Sequence, residues 1–599
     1  MSNVLPEAYY QERLTHLHTL QKQLLRKKNQ LAWLRFISIV AGFVAAKMLW
    51  PYGPAAVVGA IVTFVALFIY FLKQDINNNS RIENTERLIA ICKEELEILE
   101  HRFTNRPDGS NWQPAGHPYS HDLDIFGRAS LYQYINRTVS EQGNTVLAAW
   151  LISPAPVPAI LQRQEAAKEL AGLQHWRQQL QAYGIANPIS IATEKKITGW
   201  LAEENKFIHS TLWKIVRWVL PAISLTVLIL YCMGQMETNR FLPIATLLFI
   251  LASGVSKMIM PAYSQLSKIA PQLETLSNSV QWIEQLDAKS PYLQQVKNSF
   301  TSQEEKASQK IKGLTSILER LDYRLNFIVF IPLNTFLFWD LQQIFALENW
   351  KEKNKQNISD WFRGLGEMEA ITTISNLHFN HPAWVFPNIA AEEAVFESTE
   401  LGHPLIPAGK RINNSFSTKG VNKLNLVTGS NMAGKSTFLR SIGVNMVLAM
   451  MGSPVCAEQL TVSSMKVMSS MRISDNLEES TSTFYAELKK LKEIIEAVNR
   501  HEKVFLLLDE ILRGTNSGDR HTGSKSLIKQ LIQHDAAGLL ATHDLELAKL
   551  VEQYPNNIEN YHFDVQVAND ELYFDYKLKR GVCQSMNASI LMKKIGIEL

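Results

Sequence analysis

Four apolar runs arranged as two closely spaced pairs constrain this chain more than any other feature. "FISIVAGFVAAKMLW" (36–50) and "AAVVGAIVTFVALFIYFL" (55–72) are separated only by Pro51, Tyr52, Gly53 and Pro54. "WVLPAISLTVLILYCMGQM" (218–236) and "FLPIATLLFILASGVS" (241–256) flank Glu237–Arg240. Crossing about 30 Å of hydrocarbon takes roughly 20 apolar helical residues. Each pair is therefore expected as an antiparallel transmembrane hairpin, over about 36–72 and 218–256. The competing reading is a set of buried core helices in a large soluble protein; the pairing and the matching flanks favour lipid.

Charge sets the expected orientation. Lys22, Arg26, Lys27, Lys28 and Arg35 precede the first hairpin, and Lys73, Arg81 and Arg87 follow it. Lys206, Lys214 and Arg217 precede the second, and Lys257 and Lys268 follow, while the turns carry little beyond Lys47 and Arg240. The positive-inside tendency then puts both termini and all soluble parts in the cytoplasm of a multi-pass inner (cytoplasmic) membrane protein. Lys47 and Lys257 lie near segment ends, where a long side chain snorkels to the headgroups. A fifth run, "FIVFIPLNTFLF" (327–338), is interrupted by Pro332 and Asn334. It is too short to span and is expected as a buried lever-type helix.

Bulk composition excludes little. The net charge of +3 gives no global basic field pointing to nucleic acid. Cys92, Cys232, Cys456 and Cys583 have no paired spacing, so they form neither a disulfide framework nor a zinc site, as suits a reducing compartment. The polar, helix-prone start, "YYQERLTHLHTLQKQLLRKKNQ", does not read as a cleavable signal peptide. Residues 74–106 read as a polar helix and "NRPDGSNWQPAGHP" (105–118) as a linker. Helical spacing follows over 120–212 and 262–350. Between Lys268 and Arg324 eight basic side chains meet seven acidic ones, a solvated arm rather than a basic groove. From about 396 short apolar strands alternate with helices, the pattern of a parallel α/β domain.

That domain carries the chemistry. "KLNLVTGSNMAGKST" reads as a strand, a glycine-bounded loop and a helix beginning near Ser436. Gly429, Gly434, Lys435 and Ser436 complete G-x-x-x-x-G-K-[ST]. The loop Ser430, Asn431, Met432, Ala433 and the following Thr437 would cradle phosphates, with Lys435 on the β and γ oxygens and Ser436 on Mg²⁺. The helix adds its positive end. "VFLLLDE" (504–510) is an apolar strand ending in Asp509, placed for Mg²⁺, and Glu510, placed to polarise the attacking water. "GLLATHD" (538–544) ends in His543, a candidate γ-phosphate sensor. The bland readings are a solvated strand end and a structural histidine.

Taken in order, "TGSNMAGKSTFLR", "DNLEESTSTFYAEL" (475–488), "DEILRGTNS" (509–517) and "ATHDLEL" (541–547) resemble the ATPase domain of the MutS family. "LGHPLIP" (401–407) is similar to the family's opening motif, and residues 126–154 resemble the start of its helical core. The resemblance implies a head-to-tail homodimer of ATPase domains in the ABC-like manner, each site completed by Ser482-Thr483-Phe484 of the other copy. Arg513, Gly514, Thr515 and Asn516 would form the loop crossing that interface. An ordinary Ser/Thr N-cap is the alternative for Ser482.

Departures qualify the resemblance. Ser480 replaces the signature glycine, Leu512 replaces a glycine after the strand-end pair, and Arg411 stands where an adenine-stacking aromatic is usual. A guanidinium also stacks on a base. Gly581 to Ser585 in "RGVCQSM" resembles a C-terminal segment that returns toward the site. Residues 1–119 hold a hairpin and linker in place of a mismatch-reading domain, so Phe484 and Glu487 are signature-helix residues rather than a mismatch wedge. The DNA clamp and a C-terminal nuclease domain are also expected to be missing.

The expected fold is multidomain. A helix and first hairpin occupy 1–110, an all-α MutS-core-like domain interrupted by the second hairpin occupies 111–395, and a C-terminal α/β P-loop ATPase (ABC-like) occupies 396–599. The expected function is a membrane-anchored ATPase using ATP and Mg²⁺, with membrane lipid as a partner. DNA enters as a partner, in mismatch repair or damage sensing, through the family resemblance alone. The alternative is an ATP-driven transporter or membrane-remodelling ATPase not acting on DNA.

Overall fold

The computed structural model describes residues 5–301, 305–392, 394–430, 433–472, 483–568 and 571–583. It begins with two very long helices, Pro6–Leu49 and Pro54–Leu99, turned on a 3₁₀ segment and Gly53 at φ 98°. The first runs unbroken from a polar half into an apolar half, and the second from an apolar half into a polar one. The first buries Tyr10, Leu17, Leu24, Leu31 and Ser38. That seven-residue spacing is a coiled-coil seam against the second helix. Asn78 closes it by donating to the Leu24 carbonyl at 3.0 Å. Arg35 pairs with Asp75 at 3.1 Å where the polar half ends. Beyond it Phe43, Met48, Trp50 and Tyr52 are exposed.

The second hairpin, Thr211–Cys232 and Thr238–Leu266, also exposes apolar side chains, among them Trp218, Ile229, Leu247 and Ile250, while Leu248, Ala252, Val255 and Ile259 are buried. Tyr231 stacks on Phe241 at 4.0 Å beside its turn. Among the described residues, four helices are long and apolar enough to cross a membrane, and they are those of the two hairpins.

Two expectations are corrected here. Helix Phe327–Leu337 is not buried: its inward residues are Asn334 and Thr335, and Phe327 and Ile328 face outward. The interruption by Asn334 is what packs, since its amide donates to Ser256 Oγ at 3.0 Å. Residues 105–118 are not a free linker but a strap. Arg106 donates to Glu94 and to the Gln133 and Asn136 carbonyls, and Trp112 stacks on Tyr132. The Pro118 carbonyl accepts from Ser469 in the C-terminal domain.

The helical core is organised around Ile358–Asn380, buried along most of its length. Its Glu369 accepts from Val139 N, Ser140 N and Ser140 Oγ at 2.8–3.1 Å. Its Asn376 and Asn380 donate to Glu95 of the long second helix, which also pairs with Arg137. Tyr10 reaches Asn380 at 2.8 Å. The stalk made by the first two helices is thus keyed into the helix leading to the sheets.

The C-terminal part holds two sheets. The strands are β1 (Asn388–Ala390), β2 (Val395–Leu401), β3 (Asn414–Lys419), β4 (Leu424–Thr428), β5 (Gln459–Ser463), β6 (Lys466–Ser470), β7 (Val504–Asp509), β8 (Ala537–Thr542), β9 (Ile558–Ala568) and β10 (Glu571–Arg580). The expected parallel arrangement is met by one sheet, ordered β10-β9-β4-β8-β7-β6 and parallel except for edge strand β10. The other, β1-β5-β2-β3, is mixed. Helix Lys435–Met451 lies under the first sheet with fourteen of its seventeen residues buried, the pattern of a helix packed on all sides.

Candidate functional site

Strand β4 is buried throughout and delivers the chain to Gly429. A side chain there would press on the Phe563 carbonyl at 2.9 Å, so only glycine lets the loop leave the sheet so closely. Gly434, at φ 102°, turns the loop into helix Lys435–Met451. Ser430, Ala433, Ser436 and Thr437 lie around this turn; Asn431 and Met432 fall outside the described residues. Lys435 is nearly buried, and its ammonium donates to the carbonyls of Gly429 (2.8 Å) and Ser430 (2.9 Å). Burial lowers its pKa, opposed by the charges of Glu510 and Asp509.

Parallel pairing of β7 and β8 sets Asp509 opposite Ala541 and brings Glu510 beside His543. His543 Nε2 and Glu510 Oε1 are 2.5 Å apart, and His543 Nε2 is 3.4 Å from the Lys435 ammonium. The His543 hydrogen bond holds the Glu510 carboxyl below its usual range, against burial. Asp509 is raised by burial and lowered in part by a hydrogen bond from Ser436. Its Oδ1 is buried with no hydrogen-bond partner, as is Ser430 Oγ. A carboxylate oxygen left over beside a serine hydroxyl suits a hard divalent cation such as Mg²⁺, which takes few protein oxygens and keeps its waters.

Sequence did not announce several neighbours. Tyr576, at φ 51° where the β9–β10 register shifts, packs over Gly434. With Arg411, Ile412 and His403 it lines a cavity of about 420 Å³ that reaches Lys435 and Ser436. Arg411 is therefore at the site, its Nε donating to Asn413 Oδ1 at 3.0 Å. Strand alternation in "LYFDYKLKR" carries no mark of the irregularity that turns Tyr576 inward. Of the returning segment, residues from 584 onward fall outside the described residues; Cys583 is buried, and its N–H donates to Thr428 Oγ1 at 3.2 Å.

Ser482 lies outside the described residues; helix Thr483–Asn499 begins one position later. Phe484 and Glu487 sit on that helix, as expected. Glu487 accepts from the Leu512 and Arg513 N–H groups. Leu512 has φ 61° and Glu510 φ 48°, so this turn is strained at the position where the resemblance expects glycine. Arg513 folds back within its own chain, 3.2 Å from Glu510 Oε2, and Asn516 caps helix Ser517–Gln533. A further anchor went unnoticed in sequence. Asp122, fully buried, accepts from Ser469 Oγ, from Met471 and Arg472 N–H groups, and from Lys490 at 2.5 Å. It fastens the helical core to both elements flanking residues 473–482.

A glycine-bounded loop, a lysine and two strand-end carboxylates at the carboxyl edge of a parallel sheet form an anion-binding arrangement. The comparisons give that class a family. Residues 425–595 match the family model of MutS domain V. The chain is 36% identical to MutS protein homolog 4 of Homo sapiens over 205 residues, 32% of this chain and 22% of the relative. It is 30% identical over 239 residues to the DNA mismatch repair protein MutS of Clostridium botulinum, 38% of this chain and 25% of the relative. The likeness to the MutS family is carried by this domain. It spans about a quarter or less of the length of these relatives.

Proposed function

We propose that the protein is a membrane-anchored, Mg²⁺-dependent ATPase of the MutS type. The observation carrying this reading is the convergence of Lys435, Ser436, Asp509, Glu510 and His543 at the ends of β4, β7 and β8. Ser436 and Asp509 would hold Mg²⁺, which screens phosphate charge when bound. Lys435, now on the loop carbonyls, turns to the phosphates. Glu510, kept ionised by His543, accepts the proton of the attacking water, and His543 orients it. Arg411 and Tyr576 offer flat faces for adenine in the adjoining cavity. Two copies face each other as a homodimer, Ser482 of one completing the site of the other. Replacing Lys435 by Ala is expected to abolish ATP hydrolysis by the purified protein; unchanged turnover would refute the site.

The outward apolar surfaces of both hairpins support the multi-pass anchoring, with the ATPase domain cytoplasmic. Nucleotide-driven closure then moves the helical core and, through it, the embedded helices. DNA coupling of the mismatch-repair kind draws on the likeness to the DNA mismatch repair protein MutS of Clostridium botulinum and on the shared domain. The second reading, membrane remodelling or transport without DNA, is favoured by the second hairpin interrupting the helical core between Leu201 and Ala270. A binding titration with duplex, mismatched and branched DNA separates them. Absence of binding at ~50 mM salt, where backbone contacts are strongest, rules out the DNA reading.

A further inference from the structure

We propose that helix Phe327–Leu337 is a half-span: a third lipid-contacting element that enters one leaflet beside the second hairpin and leaves by the same side. The proposal rests on the membrane reading of the hairpins and extends it to a segment too short to cross. Eleven helical residues rise about 17 Å, roughly half of a 30 Å hydrocarbon layer.

The helix is inside out. Leu325 is 78% exposed, Phe327 69% and Ile328 85%, whereas Asn334 and Thr335 are buried. In water this arrangement would expose the apolar groups and hide the polar ones; in lipid it is the favourable one. Its inward contacts are polar and go to the hairpin. Asn334 donates to Ser256 Oγ, and Ser224 Oγ donates to the Phe336 carbonyl at 2.7 Å. Phe336 also stacks with Phe241 at 6.3 Å. The apolar face is thus continuous with the surface the hairpin offers to hydrocarbon.

The ends fit the boundary of a bilayer. At the base, Tyr323 stacks on Trp339, and the Trp339 indole N–H donates to the Arg320 carbonyl at 2.9 Å. Aromatic rings beside Arg320 and Arg324 are the composition of an interfacial belt. Arg324 pairs with Asp340, and Tyr263 donates to Asp322 at 2.5 Å, so both limbs of the excursion are tied together. The chain turns by 79° between Phe327–Leu337 and Trp339–Asn354. The break residue Phe338, at φ 48°, is fully buried, and its N–H still reaches the Asn334 carbonyl. From Phe338 the chain runs through Trp339–Asn354 and Ile358–Asn380 to β1, so the half-span joins lipid to the sheets.

The test uses the full chain with Cys232 replaced by Ser, reconstituted in phosphatidylcholine–phosphatidylglycerol vesicles. A nitroxide is placed at Ile328→Cys, at Phe43→Cys as the hairpin reference and at Lys353→Cys as the water-facing reference. Collision with oxygen is compared with collision with a water-soluble nickel chelate. The expected result is an oxygen-to-nickel ratio at Ile328→Cys several-fold above Lys353→Cys and close to Phe43→Cys. A nickel-accessible Ile328→Cys beside a lipid-facing Phe43→Cys overturns the half-span and leaves the hairpins standing. Shielding of Ile328→Cys from both reagents also overturns it, because a second copy of the chain then covers the face. A water-facing Phe43→Cys overturns both readings. Leu325→Cys repeats the measurement if Ile328→Cys fails to fold.

Discussion

Helices Lys435–Met451 and Phe327–Leu337 are both rich in apolar residues, yet they are built in opposite senses. The first buries Phe438, Leu439, Ile442, Val444 and Leu448 among neighbouring side chains. The second buries Asn334 and Thr335 and turns Phe327, Ile328 and Ile331 out. Apolarity alone therefore does not say what surrounds a segment. The discriminating sign is where its few polar groups go. In the first helix Asn445 fills a slot made by the Gly402 carbonyl and the Cys456 N–H. In the second, the polar contacts of Asn334 with Ser256 and of Ser224 with the Phe336 carbonyl carry much of the packing.

Four substitutions sharpen this contrast, each read as thermal unfolding of the full protein in detergent. The largest effect is expected at Glu95→Gln, which leaves Arg137 buried without its carboxylate, at about 3–5 kcal/mol. Burial alone would raise Glu95, but Arg137, the Asn380 hydrogen bond and Arg106 together outweigh it and leave the carboxyl below its ordinary value. Its folded-state pKa is depressed, so the contribution is complete above the unfolded value near ~4.3 and is lost as pH falls through the folded one. The wild-type advantage over the variant should hold from pH 7 to 5 and shrink toward pH 3. Leu448→Ala empties a closed core and should cost about 2–5 kcal/mol. Asn334→Ala leaves the Asp340 N–H without its side-chain acceptor, at about 1–3 kcal/mol. Ile328→Ala, at an unpacked face, should stay within ~0.5 kcal/mol. Reversal of the order of Leu448→Ala and Ile328→Ala would dissolve the contrast.

Much of the loop-and-carboxylate site was legible because its spacing is local: Gly429 to Ser436, and Asp509 with Glu510 at a strand end. The four long apolar runs were legible by length. The 327–338 run was misread because its polarity is interrupted at Asn334, and only the position of Ser256 reveals that Asn334 points inward. Residues 105–118 have loop composition, but partners some twenty to three hundred and fifty residues away hold them. Nothing in the sequence around Asp122 marks the four donors that converge on it. Tyr10, Leu17, Leu24 and Leu31 do mark their seam in sequence, yet one apolar residue per seven among charges reads as a solvated helix.

That seam has a mechanical consequence. A spacer phased on seven can be shortened only in whole repeats. Removing seven residues from each stalk helix would draw the apolar end roughly 10 Å toward the helical core with its facing almost unchanged. Removing five would swing Trp33 and its neighbours by about 140° to a different side, so the stalk acts as both ruler and compass for whatever lies at its far end.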